Sequence, residues 1–248
     1  MIKVAVLGAQ GRMGKNVCAA IEAAEDLELV AALDAGDDFS QLVAAGAEVA
    51  VDFTVPAVTE ENVHKLIDGG VHAVVGTTGW TDESRARVSE HLAELGNKSS
   101  VLIVPNFGLS AVLAMTFARK AAKYFESVEV IELHHPDKVD APSGTARHTA
   151  HAIAQARAEA GVAQSPDATE DGFEARGMEV DGVRVHAVRL RGLVAHEEIL
   201  LGNVGEQLTI RQDSFDRVSF MPGVLLGVRE VASRPGLTVG LENVMDLS

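Results

Sequence analysis

Val4-Ala5-Val6-Leu7-Gly8-Ala9-Gln10-Gly11-Arg12-Met13-Gly14 is the stretch from which the fold is read. A short apolar, β-branched run ends in three glycines spaced G-x-x-G-x-x-G, and a helix-spaced segment follows over Met13–Ala24. The spacing is a variant of the dinucleotide-binding fingerprint, and the physics is the same. Gly8 permits the tight turn out of the strand. Gly11 lets backbone approach a pyrophosphate, and Gly14 lets the helix pack close to the strand. The helix N-terminus then offers unpaired N–H groups and a positive dipole end to phosphate.

The texture around this turn repeats. Apolar runs at Lys3–Leu7, Leu27–Leu33, Glu48–Asp52, Val71–Val75 and Val101–Val104 alternate with helix-spaced stretches at Met13–Ala24, Val58–Ile67 and Glu83–Leu95. Strands alternating with helices predict βαβ units on a parallel sheet, and almost wholly apolar strands predict a sheet covered on both faces. Thr81 or Asp82 is placed to cap the helix carrying Val88, Leu92 and Leu95.

Asp34 stands at the end of the second strand, about twenty residues beyond Gly14, where a carboxylate accepts the adenine-ribose hydroxyls. It favours NADH. Arg12 in the glycine loop is placed to offset the 2′-phosphate of NADPH, so both cofactors are expected. Ligands in such sheets lie beyond the carboxyl ends of the strands. In a Rossmann order the fourth strand lies beside the first. That expectation puts Gly76-Thr77-Thr78-Gly79 and Val104-Pro105-Asn106-Phe107 at the cofactor.

After Asn106 the pattern changes. Leu109–Phe125 and Thr145–Ala160 read as helices, Ser127–His134 as a strand, and the polar stretch 161–182 as a loop. Val183–Leu190, Val194–Leu201 and Gln207–Gln212 follow as strands with little helix between them, which predicts a mixed or antiparallel sheet. Ser219–Ala232 is a final helix with Pro222 in its first turn, and Leu237–Leu241 a last short strand. The expected class is therefore an α/β Rossmann-type dinucleotide-binding domain over 1–105, completed by 215–248. A smaller α+β domain with a mixed sheet occupies 106–214.

Composition narrows the partners. The chain has 248 residues, is 47% hydrophobic and 4% aromatic, and carries a formal charge of −15. That excludes a disordered or collagenous chain and makes the protein a poor candidate for a general phosphate-backbone binder of nucleic acid. No apolar run reaches the ~18 residues of a membrane span. The start of the chain reads directly as a strand, which predicts no secretion signal and a cytoplasmic protein. The single cysteine, Cys18, excludes an intrachain disulfide and a clustered-cysteine zinc site. The histidines lack a ligating set at known spacing, so no metal is expected. An anionic ligand would need a local positive site working against the field of the whole molecule.

Such a site is present in Glu129-Val130-Ile131-Glu132-Leu133-His134-His135-Pro136-Asp137-Lys138-Val139-Asp140-Ala141-Pro142-Ser143-Gly144-Thr145-Ala146. A strand runs into two histidines and a lysine, and Pro142-Ser143-Gly144-Thr145 opens a helix. Three potential cations and a helix N-terminus suit a small carboxylate. His134 and Lys138 are also groups able to supply a proton. His148 and His151, at i,i+3 on the next helix, read as surface residues.

This run, E-x-x-E-x-H-H-x-x-K-x-D-x-P-S-G-T-A, resembles the signature of the dihydrodipicolinate reductase family. The glycine loop Gly8–Gly14, Asp52-Phe53-Thr54, Gly76-Thr77-Thr78-Gly79, Pro105-Asn106-Phe107 and Arg189…Gly192…His196 fit the same family in order, across essentially the whole chain. The resemblance implies NADH- or NADPH-dependent reduction of 4-hydroxy-tetrahydrodipicolinate to tetrahydrodipicolinate, in lysine and diaminopimelate synthesis, by a homotetramer. It implies that His134 and Lys138 are the proton-donating pair. His135, Gly144 and Thr145 would hold a substrate carboxylate. Gly8, Ala9, Gln10, Gly11, Arg12, Met13, Asp34, Gly76, Thr77, Thr78, Val104, Pro105, Asn106 and Phe107 would line the cofactor. The family often carries Glu-Arg where Asp34-Ala35 stands here.

Two other readings are compatible with the glycine turn: another Rossmann amino-acid dehydrogenase, and a non-catalytic NADH-binding sensor. The 129–146 segment speaks against the first. The lack of a basic DNA-reading helix speaks against the second.

Overall fold

The computed structural model describes residues 1–247, which divide into two compact units, 1–108 with 217–247, and Leu109–Asp216. Among the described residues no helix is long and apolar enough to cross a membrane.

The first unit contains β1 (Ile2–Leu7), α1 (Arg12–Glu22), β2 (Leu27–Leu33), α2 (Ser40–Ala44), β3 (Val49–Asp52), α3 (Pro56–Asp68), β4 (His72–Val75), α4 (Asp82–Glu94) and β5 (Ser100–Ile103). From the second unit the chain returns to supply α7 (Met221–Glu230) and β11 (Gly236–Val239). All pairings are parallel, and the order is β11-β5-β4-β3-β1-β2. The centre of the sheet is fully apolar and buried: Val4, Ala5 and Val6 of β1 and Ala73, Val74 and Val75 of β4 are all inaccessible. Burial on both faces explains why these strands do not alternate. Thr81 caps α4 in a reciprocal capping box with Ser84. Pro222 falls in the first turn of α7, where its missing N–H costs nothing.

The strand order corrects the expectation that the fourth strand neighbours the first. β3 lies beside β1, and β4 pairs with β3 and β5. The chain runs from β1 to β2 on one side and then crosses back through α2 to the other side of β1. The switch point therefore lies between β1 and β3, and a ligand crevice at the strand ends opens there. Periodicity identifies strands but carries no information about their lateral order.

The second unit contains α5 (Leu109–Ala121), β6 (Ser127–His134), α6 (Gly144–Glu159), β7 (Met178–Val180), β8 (Val183–Arg189), β9 (Ala195–Asn203) and β10 (Glu206–Ser214). The sheet order is β10-β9-β6-β8-β7, with β6 and β8 parallel and the other pairs antiparallel. Ala114, Ala118, Ala146, Ala150 and Ile153 of the two helices pack on Val128, Val130, Val185, Ile199 and Leu201 of one sheet face. The stretch 161–182, expected as a loop, contains β7. It forms a hairpin with β8 through Asp181 (φ 50°) and Gly182 (φ 83°), both left-handed as a two-residue turn of type I′ requires.

Candidate active site

In the first unit the glycine turn is sterically determined. Gly8 has φ 77°, and a Cβ on it would lie 2.5 Å from the Phe53 carbonyl oxygen. A Cβ on Gly14 would lie 2.1 Å from the Gly8 carbonyl oxygen, so only glycine lets α1 approach the strand this closely. The N–H groups of Gly8 and Ala9 both donate to the Leu33 carbonyl, which ties the turn to the end of β2. Gly11 is the N-cap of α1 and has no capping side chain.

Two cavities flank this turn. One, of about 540 Å³, is lined by Gly8, Gly11, Asp34, Phe39, Thr54 and Lys65, among others. The second, of about 340 Å³, is lined by Gly11, Arg12, Met13, Gly76, Thr77 and Thr78, with Phe53, Thr54 and Pro56. Gly11, Phe53 and Thr54 border both, so the cavities adjoin along the strand ends at the β1/β3 switch. Asp34 sits in the first. Its Oδ2 accepts the Gln10 N–H at 2.7 Å and its Oδ1 the Ala35 N–H at 2.9 Å. The Ala35 and Gln10 amides hold the Asp34 carboxyl below the usual carboxylate range. A second acid, Asp37, accepts the Asp34 N–H at 2.7 Å.

Of the residues expected at the cofactor, Gly8, Gly11, Arg12, Met13, Asp34, Gly76, Thr77 and Thr78 border these cavities. Ala9 is buried beneath the turn, and Gln10 contributes its N–H to Asp34. Val104, Pro105, Asn106 and Phe107 line neither cavity. Val104 and Phe107 are buried, and the Phe107 ring packs 5.5 Å from that of Phe53.

The sequence reading assigned no role to three features of this unit. The first is Asp52, fully inaccessible at the end of β3. Its carboxylate accepts the Thr77 hydroxyl at 2.6 Å, the Thr54 hydroxyl at 2.7 Å, the Thr54 N–H at 2.9 Å and Asn62 Nδ2 at 3.0 Å. It thereby joins the ends of β3 and β4 and spends the hydroxyl of Thr77 internally. The second is Phe53, whose ring fills the space that a side chain at Gly76 would take. The third is Lys65, a cation in the wall of the larger cavity, paired with Glu61 at 2.6 Å. The strand-end run Asp52-Phe53-Thr54 was the available signal, and it gains its meaning only from the strand order.

In the second unit β6 delivers His134 at its C-terminal end. His134 Nδ1 lies 2.5 Å from Oε2 of Glu132, a fully buried residue two positions earlier on the strand. Residues i and i+2 of a strand share a face, so the E-x-H spacing was a legible signal for this pair. Arg189 on β8 grips the same carboxylate through Nη1 at 2.7 Å and Nη2 at 2.8 Å, and donates to the Asp140 carbonyl at 2.6 Å. The Ser143 N–H completes the set, donating to Glu132 Oε1 at 3.0 Å. Burial raises the pKa of Glu132, but the bonds from Arg189 and His134 outweigh it and the group stays below the usual range. Burial lowers the pKa of His134, and the Glu132 bond offsets that only in part.

Lys138 Nζ lies 2.6 Å from Asp140 Oδ1. The Lys138 bond, with smaller help from the Gly144 amide, keeps the Asp140 carboxyl low. Ser143 caps α6 by accepting the Ala146 N–H at 3.1 Å, which puts Gly144 and Thr145 in its first turn. The structure thus gathers His134, His135, Lys138, Gly144 and Thr145 around one strand end and one helix N-terminus. His148 and His151 are exposed, and His151 pairs with Asp181.

A parallel sheet with this glycine turn, together with a histidine–lysine strand end in a mixed-sheet unit, defines a nicotinamide-dependent oxidoreductase. Family models place it further. The model described as dihydrodipicolinate reductase, N-terminus, matches residues 2–107, and the model described as dihydrodipicolinate reductase, C-terminus, matches residues 110–245. The chain is 65% identical to the 4-hydroxy-tetrahydrodipicolinate reductase of Beutenbergia cavernae, over 99% of each chain. It is 63% identical to that of Bifidobacterium animalis subsp. lactis, over 100% of each. A solved dihydrodipicolinate reductase from Paenisporosarcina sp. TG-14, with dipicolinate bound, matches at a TM-score of 0.88 and 38% identity, covering 99% of this chain and 100% of that one. The chain belongs to the dihydrodipicolinate reductase family. It is an NADH- or NADPH-dependent oxidoreductase of lysine and diaminopimelate synthesis, and its full-length relatives carry the name 4-hydroxy-tetrahydrodipicolinate reductase.

Proposed function

We propose that His134 and Lys138 supply the proton in the reduction of 4-hydroxy-tetrahydrodipicolinate, and that His135, Gly144 and Thr145 hold a carboxylate of that substrate. The observation that carries this reading is the bond from His134 Nδ1 to the buried Glu132. With Nδ1 fixed there, Nε2 is the ring nitrogen left to exchange a proton. The substrate is a dianion. Its arrival raises the proton affinity of His134, which counters the effect of burial on that ring. Asp140 holds Lys138 in the free protein, and a substrate carboxylate competes with it for the ammonium group. The first turn of α6 adds N–H donors and a dipole of favourable sign.

The residues of the first unit fit a dinucleotide, because Gly8 and Gly14 leave backbone where side chains would fill the turn. Asp34 would take the adenine ribose and the N-terminus of α1 the pyrophosphate. Gly76, Thr77 and Thr78 would border the nicotinamide end. When bound, the cofactor would supply a hydride, after the 4-hydroxyl of the substrate leaves as water with a ring proton and conjugates the ring into a hydride acceptor. His134 and Lys138 neutralise the charge that develops on the substrate ring. Arg12 and Lys65 are the cations that support use of NADPH beside NADH. We assign the protein to the cytoplasm, a compartment that supplies both nucleotides.

A homotetramer is the assembly we favour. One face of the second sheet is covered by α5 and α6. The opposite face carries half-buried Ile131, Leu133, Val188 and Leu200 beside a Glu129–Arg176–His186 ion cluster. Steady-state kinetics of His134→Asn and Lys138→Ala with NADH and freshly made substrate test the site. A loss of kcat of about 100-fold in each is expected, and dipicolinate binding should weaken in Lys138→Ala.

A further inference from the structure

Glu132 has a second carboxyl group directly opposite it. Glu132 of β6 and Glu197 of β9 are register partners on neighbouring antiparallel strands, and both are buried, at 0% and 2% exposure. Like charges facing each other across a sheet repel even at the surface, and an unpaired buried charge is costlier still. Their partners are very unequal. Glu132 accepts from both terminal nitrogens of Arg189, from the Ser143 N–H and from His134. Glu197 Oε1 accepts only the Thr149 hydroxyl, at 2.8 Å, and its Oε2 is buried with no hydrogen-bond partner among the described residues.

We propose that Glu132 and Glu197 form a positioning pair for His134, in which Glu132 carries the negative charge and Glu197 keeps its proton. This rests on the reading of His134 as the proton donor. Glu132 takes both cationic groups that bond to the pair, Arg189 and His134, so its neighbour is favoured there as the neutral acid. Burial and the Glu132 charge push the Glu197 carboxyl up to about 7, in line with this division. A neutral Glu197 leaves Glu132 free to fix the Nδ1–H tautomer of His134 and to leave Nε2 for the substrate. The groups facing the pair are His134 at the end of β6, Lys138 beyond it and Arg189 from β8. Thr149 comes from α6, and Gln212 from β10 stands opposite Glu197.

The pair also acts with pH. When Glu197 loses its proton as pH rises through about 7, a second negative charge appears beside Glu132 and raises the proton affinity of His134. Glutamine at position 197 has no such response.

The test compares Glu132→Gln, Glu197→Gln and His134→Asn. In wild type, ¹⁵N resonances of the His134 ring, assigned by their loss in His134→Asn, should show the Nδ1–H tautomer in the neutral form. The infrared C=O stretch of a protonated carboxyl should be present in wild type and lost in Glu197→Gln. Glu132→Gln should lower kcat at least tenfold with KM for NADH within about twofold, and mix the His134 tautomers. In Glu197→Gln the alkaline limb of kcat should move to lower pH. An Nε2–H tautomer in wild type, or a protonated-carboxyl band unaffected by Glu197→Gln, would overturn the pair while leaving the site reading intact. So would unchanged kcat in Glu132→Gln while His134→Asn is crippled. Full activity in His134→Asn would instead overturn the site reading, and the pair with it. The wild-type spectra decide the question even if Glu132→Gln does not fold.

Discussion

The Gln10 amide donates to Asp34 Oδ2 at 2.7 Å, so the glycine turn and the acid at the end of β2 are one unit. The carboxylate is charged at neutral pH and has lone pairs to spare for two ribose hydroxyls. Asp34→Ala should therefore raise KM for NADH by about 3- to 10-fold. KM for NADPH should change little or fall, because a repelled 2′-phosphate loses its repulsion. Initial rates with both nucleotides measure this.

Asp52 is the corresponding tie between the ends of β3 and β4. Asp52→Ala removes the carboxylate that accepts from the hydroxyl of Thr77, the amide and hydroxyl of Thr54, and Asn62. A cost of about 2–4 kcal/mol is expected, read as a fall in Tm of roughly 5–10 °C by calorimetry. NADH affinity should fall with it, because Thr54 and Thr77 border the cavities.

Most of the scaffold was legible in the sequence. The bounds expected for β2 and β6 match the structure, since short apolar runs bounded by polar turns have few alternatives. Three things were not legible. The lateral order of β1, β3 and β4 depends on where α2 returns the chain, and α2 is only five residues long. β7 is a three-residue strand within a polar stretch, too short for any period. Its Asp181-Gly182 turn was nevertheless a hairpin signal. The role of Glu132 needed the register, which puts Arg189 beside His134 and Glu197 opposite Glu132.

Stability should carry the signature of Glu197. Its carboxyl is raised from 4.5 to about 7 in the folded protein, so the native state binds the extra proton. The stabilisation from this proton is full below about pH 4.5 and is lost as pH rises through about 7. The change is on the order of 3 kcal/mol. Glu197→Gln has no such loss. Its Tm should gain on that of wild type as pH rises across this window, and a constant difference would contradict the assignment.

Self-association is expected through the sheet face opposite α5 and α6. Light scattering should give about four times the chain mass of 26.1 kDa. Leu200→Glu, on that face, should shift the distribution toward smaller species.

The most direct measurement is the single-turnover rate of NADH oxidation with saturating substrate in His134→Asn and Lys138→Ala, which isolates the chemical step from binding and release. A fall of about 100-fold or more in both, with NADH affinity preserved, is the predicted result. Wild-type rates in both variants would contradict the placement of proton delivery at this strand end.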